Sequence, residues 1–316
     1  MDSFIYSLNA TVPVFLVMLI GSWLKRRGIL TEQFVSAANK FVFQIALPAK
    51  LLLDLAETDI IHSFDIRYIG FCFGVTLLSI LTIWYLAKKL LKDPFETGAF
   101  VQASYRSSAA ILGVAFIENI YGNSGMAPLM MIGAVPLYNI FAVIVLTFEN
   151  TDNHAKGNER IVRAAKGVAT NPIILSIAAG ILLSLMQISF PPMIDKTIRN
   201  LGVMASPLAL LAIGAGFEGR KALAKIKTTA AAATIKLVLL TAIFLPVAVA
   251  LGFRDQKLLA LIIMLGSPTT PTAYIMAKNM GGDGVLSSSV IVLTTLLSAV
   301  TLTFWIFLVR SMGLVQ

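Results

Sequence analysis

Apolar runs long enough to cross a bilayer, about 20 residues each, recur along this chain between short polar stretches. Ten such segments can be drawn, at roughly 4–24, 35–54, 67–88, 96–121, 125–148, 171–190, 198–217, 228–252, 256–279 and 284–310. They are apolar on most sides, which argues for helices surrounded by lipid and by one another. Two carry polar residues at mid-span. The fourth contains Ser104-Tyr105-Arg106-Ser107-Ser108, and the ninth Gly266-Ser267-Pro268-Thr269-Thr270-Pro271. A single long polar connection, 150–170, falls at mid-chain and reads as a linker between halves 1–149 and 171–316.

Composition agrees with this pattern. The 316 residues are 57% hydrophobic and 13% charged, against about 45–50% and about 25% in soluble domains. The start of the chain has no basic region or small-residue cleavage site and reads as a retained first helix. The net charge of +9 would suggest nucleic acid in a soluble protein, but here it is unevenly distributed between loops. Fifteen of the 25 Lys and Arg residues fall in loops on the side opposite the N-terminus, among them Lys25-Arg26-Arg27, Lys88-Lys89 and Arg220-Lys221. Six fall on the N-terminal side. The positive-inside rule then makes the Lys- and Arg-rich side cytoplasmic and puts both termini outside an inner membrane. No nucleic-acid partner is expected.

The halves repeat. A shift of 159 residues aligns Pro13 with Pro172, Gly21 with Gly180 and Pro48 with Pro207; a shift of 160 aligns Asn119 with Asn279 and Gly122 with Gly282, and superimposes the two polar breaks. Each half holds five spans, an odd number, so the second half enters the membrane from the opposite side. The expected fold is all-α and integral to the membrane, with ten transmembrane helices as two inverted five-helix repeats and with broken helices four and nine crossing. This is an architecture of secondary transporters.

The breaks carry the candidate chemistry. Proline suits the first turn of a helix and Ser or Thr its cap. The ninth span is therefore expected to stop near Leu265-Gly266 and resume near Thr270, with a positive helix N-terminus at mid-membrane. Ser107 and Ser108 are the counterparts on the fourth span. Arg106 stays protonated and can grip a carboxylate with two parallel hydrogen bonds; it can also serve as a structural partner for Glu118. The candidate substrate-binding set is Gln102, Tyr105, Arg106, Ser107, Ser108, Asn139, Ser267, Pro268, Thr269, Thr270 and Pro271. Coupling or gating candidates are Lys50, Asp54, Glu118 and Lys236. Against these stand plainer readings. Lys50 and Asp54, at i and i+4, can simply pair, and Lys236 can snorkel to an interface.

Several stretches resemble the auxin efflux carrier family in its bacterial branch. They are Leu47-Pro48, 105–122 (YRSSAAILGVAFIENIYG), 136–146 (PLYNIFAVIVL), 267–283 (SPTTPTAYIMAKNMGGD) and 290–302 (VIVLTTLLSAVTL). The resemblance covers essentially the whole chain. It implies a scaffold of spans one, two, six and seven, a transport domain of spans three to five and eight to ten that moves as an elevator, and a homodimer through spans two and seven. It also implies organic-anion substrates, either small carboxylates such as malate-like dicarboxylates or auxin-like acids. Many relatives have Asn and Pro at the fourth-span break, where this chain has Arg106-Ser107-Ser108-Ala109-Ala110.

Other classes fit less well. The stretch Gly281-Gly282-Asp283-Gly284 lacks the second carboxylate that an intramembrane aspartyl protease needs, so Asp283 reads as a helix cap. The chain has no HExxH, GxSxG or Walker motif and no metal-ligand cluster. No enzyme activity, cofactor or metal is expected. A bile-acid-type sodium-coupled symporter shares the broken-helix logic and is the nearest alternative.

Overall fold

The computed structural model describes residues 2–57, 65–91, 93–109, 117, 126–149 and 158–315, and among these all regular secondary structure is helical. In the first half, α1 (Asp2–Arg26) is followed by α2 (Glu32–Phe41), a π turn (Val42–Ala46) and α3 (Leu47–Ala56). Next come α4 (Ile66–Leu90), α5 (Pro94–Tyr105) and α6 (Ala127–Glu149). An amphipathic helix follows, α7 (Asn158–Ala169). The second half runs through α8 (Pro172–Leu185), α9 (Pro192–Val203), α10 (Ala205–Ala215) and the short α11 (Gly219–Ala224). It continues with α12 (Ile226–Thr234), a second π turn (Ile235–Leu239), α13 (Leu240–Ala250), α14 (Asp255–Gly266), α15 (Thr272–Asn279) and α16 (Gly284–Ser311).

Among the described residues, five helical segments are long and apolar enough to cross a membrane: Ile66–Leu90, Leu129–Glu149, Pro192–Ala215, Ile226–Ala250 and Gly284–Ser311. The described residues form only helical regular structure, with the several apolar helices of a multi-pass membrane protein. The other expected spans are helical but interrupted, charged, or partly outside the described residues. Pro48 explains one interruption. It has no N–H for the carbonyl of Gln44 and its ring crowds that carbonyl. The preceding turn widens, and Leu47 N donates five residues back to Val42 O.

Helix ends are set by short polar side chains. Thr31, Asp65, Asp93, Asn171 and Asp283 each accept a backbone N–H from the first turn of the helix that follows. Asp283 Oδ1, the cap anticipated from the sequence, takes Leu286 N at 3.0 Å.

Close helix crossings use glycine. A Cβ on Gly21 of α1 would stand 2.4 Å from Leu211 O of α10, and one on Gly180 of α8 would stand 2.8 Å from Leu52 O of α3. Positions 21 and 180 are 159 residues apart, and so are 52 and 211. The same contact therefore occurs once in each direction between the halves.

The buried apolar residues form two clusters. One joins α4, α5, α6, α12 to α14 and α16. The other joins α1 to α3, α8 and α10, with contributions from α6, α15 and α16.

Candidate functional site

Two breaks in helical geometry face each other in the interior. The last helical bond of α5 runs from Arg106 N to Gln102 O at 3.1 Å, after which Arg106 turns extended (φ −73°, ψ 129°). α14 closes the same way. Ser267 N donates to Ile263 O at 3.0 Å and Ser267 is extended (φ −75°, ψ 160°). Pro268 and Pro271 lack the N–H groups that a continuing helix would use, and α15 begins only at Thr272.

Irregular backbone at membrane depth must find its partners in protein or in a wet cavity. Here much of it pairs with the opposite break. Ser108 N donates to Pro268 O at 3.0 Å, Thr269 Oγ1 to Ala103 O at 2.7 Å and Ser107 Oγ to Ile263 O at 3.3 Å. The hydroxyls of Ser107 and Ser267 also hydrogen-bond to each other, and Thr269 N donates to Thr294 Oγ1 at 3.1 Å. Pro271, not Thr270, occupies the cap position of α15, and it makes no side-chain cap. Ala273 N and Tyr274 N already donate to Thr270 O and Pro271 O at 3.0 and 3.1 Å. What α15 offers an anion is therefore mainly the positive end of its dipole.

A cavity of about 60 Å³ opens beside the crossing. The breaks contribute Arg106, Ser107, Ser108, Thr270 and Thr272 to its wall; α6 contributes Val135, Tyr138 and Asn139. Leu47, Lys50, Leu51 and Asp54 of α3 and Ser206 of α10 complete it.

Arg106 is 3% exposed. Its guanidinium donates to Asn139 Oδ1, to Tyr138 O at 3.5 Å and to Met276 Sδ at 3.0 Å. Asn139 is held in turn, its Nδ2 donating to Val135 O at 2.9 Å. Among the described residues no carboxylate lies within ion-pairing distance of Arg106. Across the cavity Lys50 Nζ pairs with Asp54 Oδ2 at 3.1 Å. With that pair intact, the described lining residues keep one net positive charge, the guanidinium.

The predicted residues thus divide. Arg106, Ser107, Ser108, Asn139, Thr270, Lys50 and Asp54 share one cavity. Ser267, Pro268 and Thr269 lie behind it and join the breaks, and Pro271 opens α15. Tyr105 stacks against Tyr138 with ring centres 5.9 Å apart, and its hydroxyl donates to Tyr138 O at 3.2 Å. Gln102 is buried away from the cavity, with neither amide atom hydrogen-bonded. Lys236 does not snorkel. It is fully buried and donates to Met264 O at 3.3 Å and Leu265 O at 2.5 Å, so its ammonium caps the negative C-terminal end of α14. Glu118 lies outside the described residues. The sequence reading missed Leu47, Leu51, Val135, Ser206 and Thr272 as lining residues. Leu47 and Ser206 precede Pro48 and Pro207 and are also 159 positions apart, a signal already present in the repeat.

Charges also order the loops. Lys225 Nζ bridges Glu96 and Asp283; partial burial disfavours its charge, but the two carboxylates outweigh this and hold its pKa above the usual lysine value. Lys257 Nζ, 2.6 Å from Asp65 Oδ2, and the backbone N–H of Tyr68 hold the Asp65 carboxyl below the usual range.

Comparison with known proteins gives a consistent picture. Residues 6–306 match a family profile described as membrane transport protein. An uncharacterized transporter of Methanothermobacter thermautotrophicus is 23% identical, over 96% of this chain and 98% of its own length. The uncharacterized transporter YfdV of Escherichia coli K12 is 25% identical, over 95% and 96%. A protein of Rhizobium meliloti described as a candidate malonate transporter is 25% identical, over 95% of each chain.

Proposed function

This chain belongs to the membrane transport protein family, and we propose that it is a secondary transporter that carries a small organic anion by elevator-type alternating access. Membership makes it a transporter and not an enzyme. The observation that carries the substrate class is Arg106, a buried guanidinium on a cavity wall where two broken helices meet, held by neutral partners and without a described carboxylate. Burying such a charge is costly, and an arriving carboxylate both compensates it and fits its paired donors. Lys50 pairs with Asp54, so one carboxylate balances the charge of the described lining residues.

The cavity volume favours a small acid over an auxin-sized one. A cavity needs about 10–15 Å³ to hold one water, so 60 Å³ suits a small, compact acid. The name of the Rhizobium meliloti relative points the same way. A sodium-coupled symporter is less well supported, because the α14 carbonyls that could meet a cation at the break already receive Lys236.

The fold in this reading has ten spans as inverted repeats, 1–149 and 171–316, joined by 150–170. The reciprocal contacts Gly21–Leu211 and Gly180–Leu52 support it, as does the Ser107–Ser267 pair at a separation of 160. The two apolar clusters support a scaffold of spans one, two, six and seven beside a transport domain of the other six. A homodimer through spans two and seven, in a bacterial inner membrane with both termini outside, completes the proposal.

The test is a thermal-shift titration of purified protein with acetate, malonate, malate and indole-3-acetate, in sodium and in potassium buffers. A ligand at 100 times its Kd stabilises by ~2.7 kcal/mol. A small carboxylate is expected to stabilise the protein equally in both buffers. Arg106→Gln should weaken that ligand by at least ~30-fold, the low end for removing one partner of a buried charge pair. Undiminished carboxylate binding in Arg106→Gln, or stabilisation by sodium alone, refutes the reading.

A further inference from the structure

α4 and the α12–α13 stack both pack on α5 but leave a groove of about 480 Å³ between them. Its walls are apolar and face outward. Leu78, Leu86 and Leu90 stand on one side, Ala231 and Ile243 on the other, and Phe100 of α5 forms the floor. The groove has a definite length and direction. Leu78 lies near the middle of α4 and Leu90 at its end, twelve residues or ~18 Å apart at 1.5 Å per residue. One leaflet of the hydrocarbon core is ~15 Å deep, half of ~30 Å. The groove therefore runs from mid-membrane to one interface.

Lysines cluster at that interface. Lys89 is three residues after Leu86 and Lys227 four before Ala231, so each sits on the groove-lining face of its helix. Lys88 and Lys225 are committed elsewhere, to Glu149 and to Glu96 with Asp283. Lys89 rests over the Tyr85 ring, 4.4 Å from its centre. Neither Lys89 nor Lys227 has a carboxylate partner among the described residues.

We propose that this groove is a binding site for an anionic phospholipid, with one acyl chain lying between α4 and α12–α13 and the phosphodiester headgroup held between Lys89 and Lys227. Apolar length alone would accept any lipid. Two ammonium groups at the mouth, neither with a carboxylate partner among the described residues, select the charged headgroup, because each surface lysine adds attraction to anionic lipid. None of the groove residues lines the cavity at the crossing, so the site is separate from that of the transported anion.

The experiment is a native mass-spectrometry titration of delipidated full-length protein with phosphatidylglycerol and with phosphatidylcholine. Phosphatidylglycerol is expected to bind more tightly. Lys89→Gln and Lys227→Gln should each weaken it about fivefold, the equivalent of ~1 kcal/mol per lysine, and leave phosphatidylcholine unchanged. Ala231→Trp, at an exposed position, should fill the groove and weaken both lipids. Equal affinity for the two lipids, or an unchanged phosphatidylglycerol affinity in the double lysine variant, overturns the proposal. So does phosphatidylglycerol binding that depends on the lysines but survives Ala231→Trp, since the chain would then lie outside the groove.

Discussion

Adding one methyl group at Gly21 or Gly180 tests two close helix crossings that the 159-residue offset relates. The new Cβ would stand 2.4 Å from Leu211 O in the first case and 2.8 Å from Leu52 O in the second. Ordinary van der Waals contact begins near 3.4 Å, so α1 must retreat from α10 by ~1.0 Å and α8 from α3 by ~0.6 Å if the backbones alone move. A gap of that size forfeits roughly a quarter to a half of each dispersion contact along the interface, and overpacking of this kind costs ~1–3 kcal/mol. Gly21→Ala is therefore expected at ~2–3 kcal/mol and Gly180→Ala at ~1–2 kcal/mol. At ~2–4 °C per kcal/mol for a large domain, this is a fall in Tm of ~4–12 °C and ~2–8 °C respectively. Gly70 and Gly74 of α4 are internal controls. A Cβ there meets nothing within 4 Å, so Ala substitution should be neutral or stabilising by up to ~1 kcal/mol through helix propensity. The assay is thermal unfolding of detergent-purified protein followed by circular dichroism. If Gly21→Ala and Gly180→Ala melt together with the Gly74→Ala control, the close crossings, and the reciprocal packing drawn from them, are refuted.

Three further outcomes are expected from the charged groups. Lys225→Met leaves Asp283, whose side chain is 3% exposed, without its cation, and should destabilise by ~2–4 kcal/mol in the same melting assay. Because the Lys225 pKa is raised on folding, its contribution is present below the ordinary lysine value of about 10.4 and is lost as pH rises through the higher folded value, so the variant should lack that alkaline step. Asp65, with its pKa lowered on folding, contributes above about pH 3.9 and loses that contribution as pH falls through the folded value. Its pair with Lys257 is partly exposed, so Asp65→Asn should remove less than ~1 kcal/mol of the acid-side stability loss, read from melts between pH 3 and 7. Lys236→Met deprives the Met264 and Leu265 carbonyls of their donor and should cost ~1–3 kcal/mol; a stability equal to wild type would show that the carbonyls are satisfied without it.

Sequence alone determined the features that are local along the chain. Apolar length located the helical segments, Arg106 with Ser107 and Ser108 at mid-span marked the break at 106–108, and proline with Ser and Thr marked the one at 267–271. Placing Arg106 at mid-span made it the foremost candidate, and the offset of 159 tied Gly21 to Gly180. The tertiary structure decided which way each of these points. Asn139, 33 residues from Arg106, becomes its partner, while Gln102, one turn away from Arg106, faces a different interior. Lys236 turns inward to the end of α14, and Leu47, Ser206 and Thr272 join the cavity. The physical reason is the solvent. In lipid, both faces of a helix are apolar, so periodicity carries little record of which face meets protein. That choice is made by glycine contacts and by the backbone groups of the broken helices, some of whose partners lie 160 residues or more away.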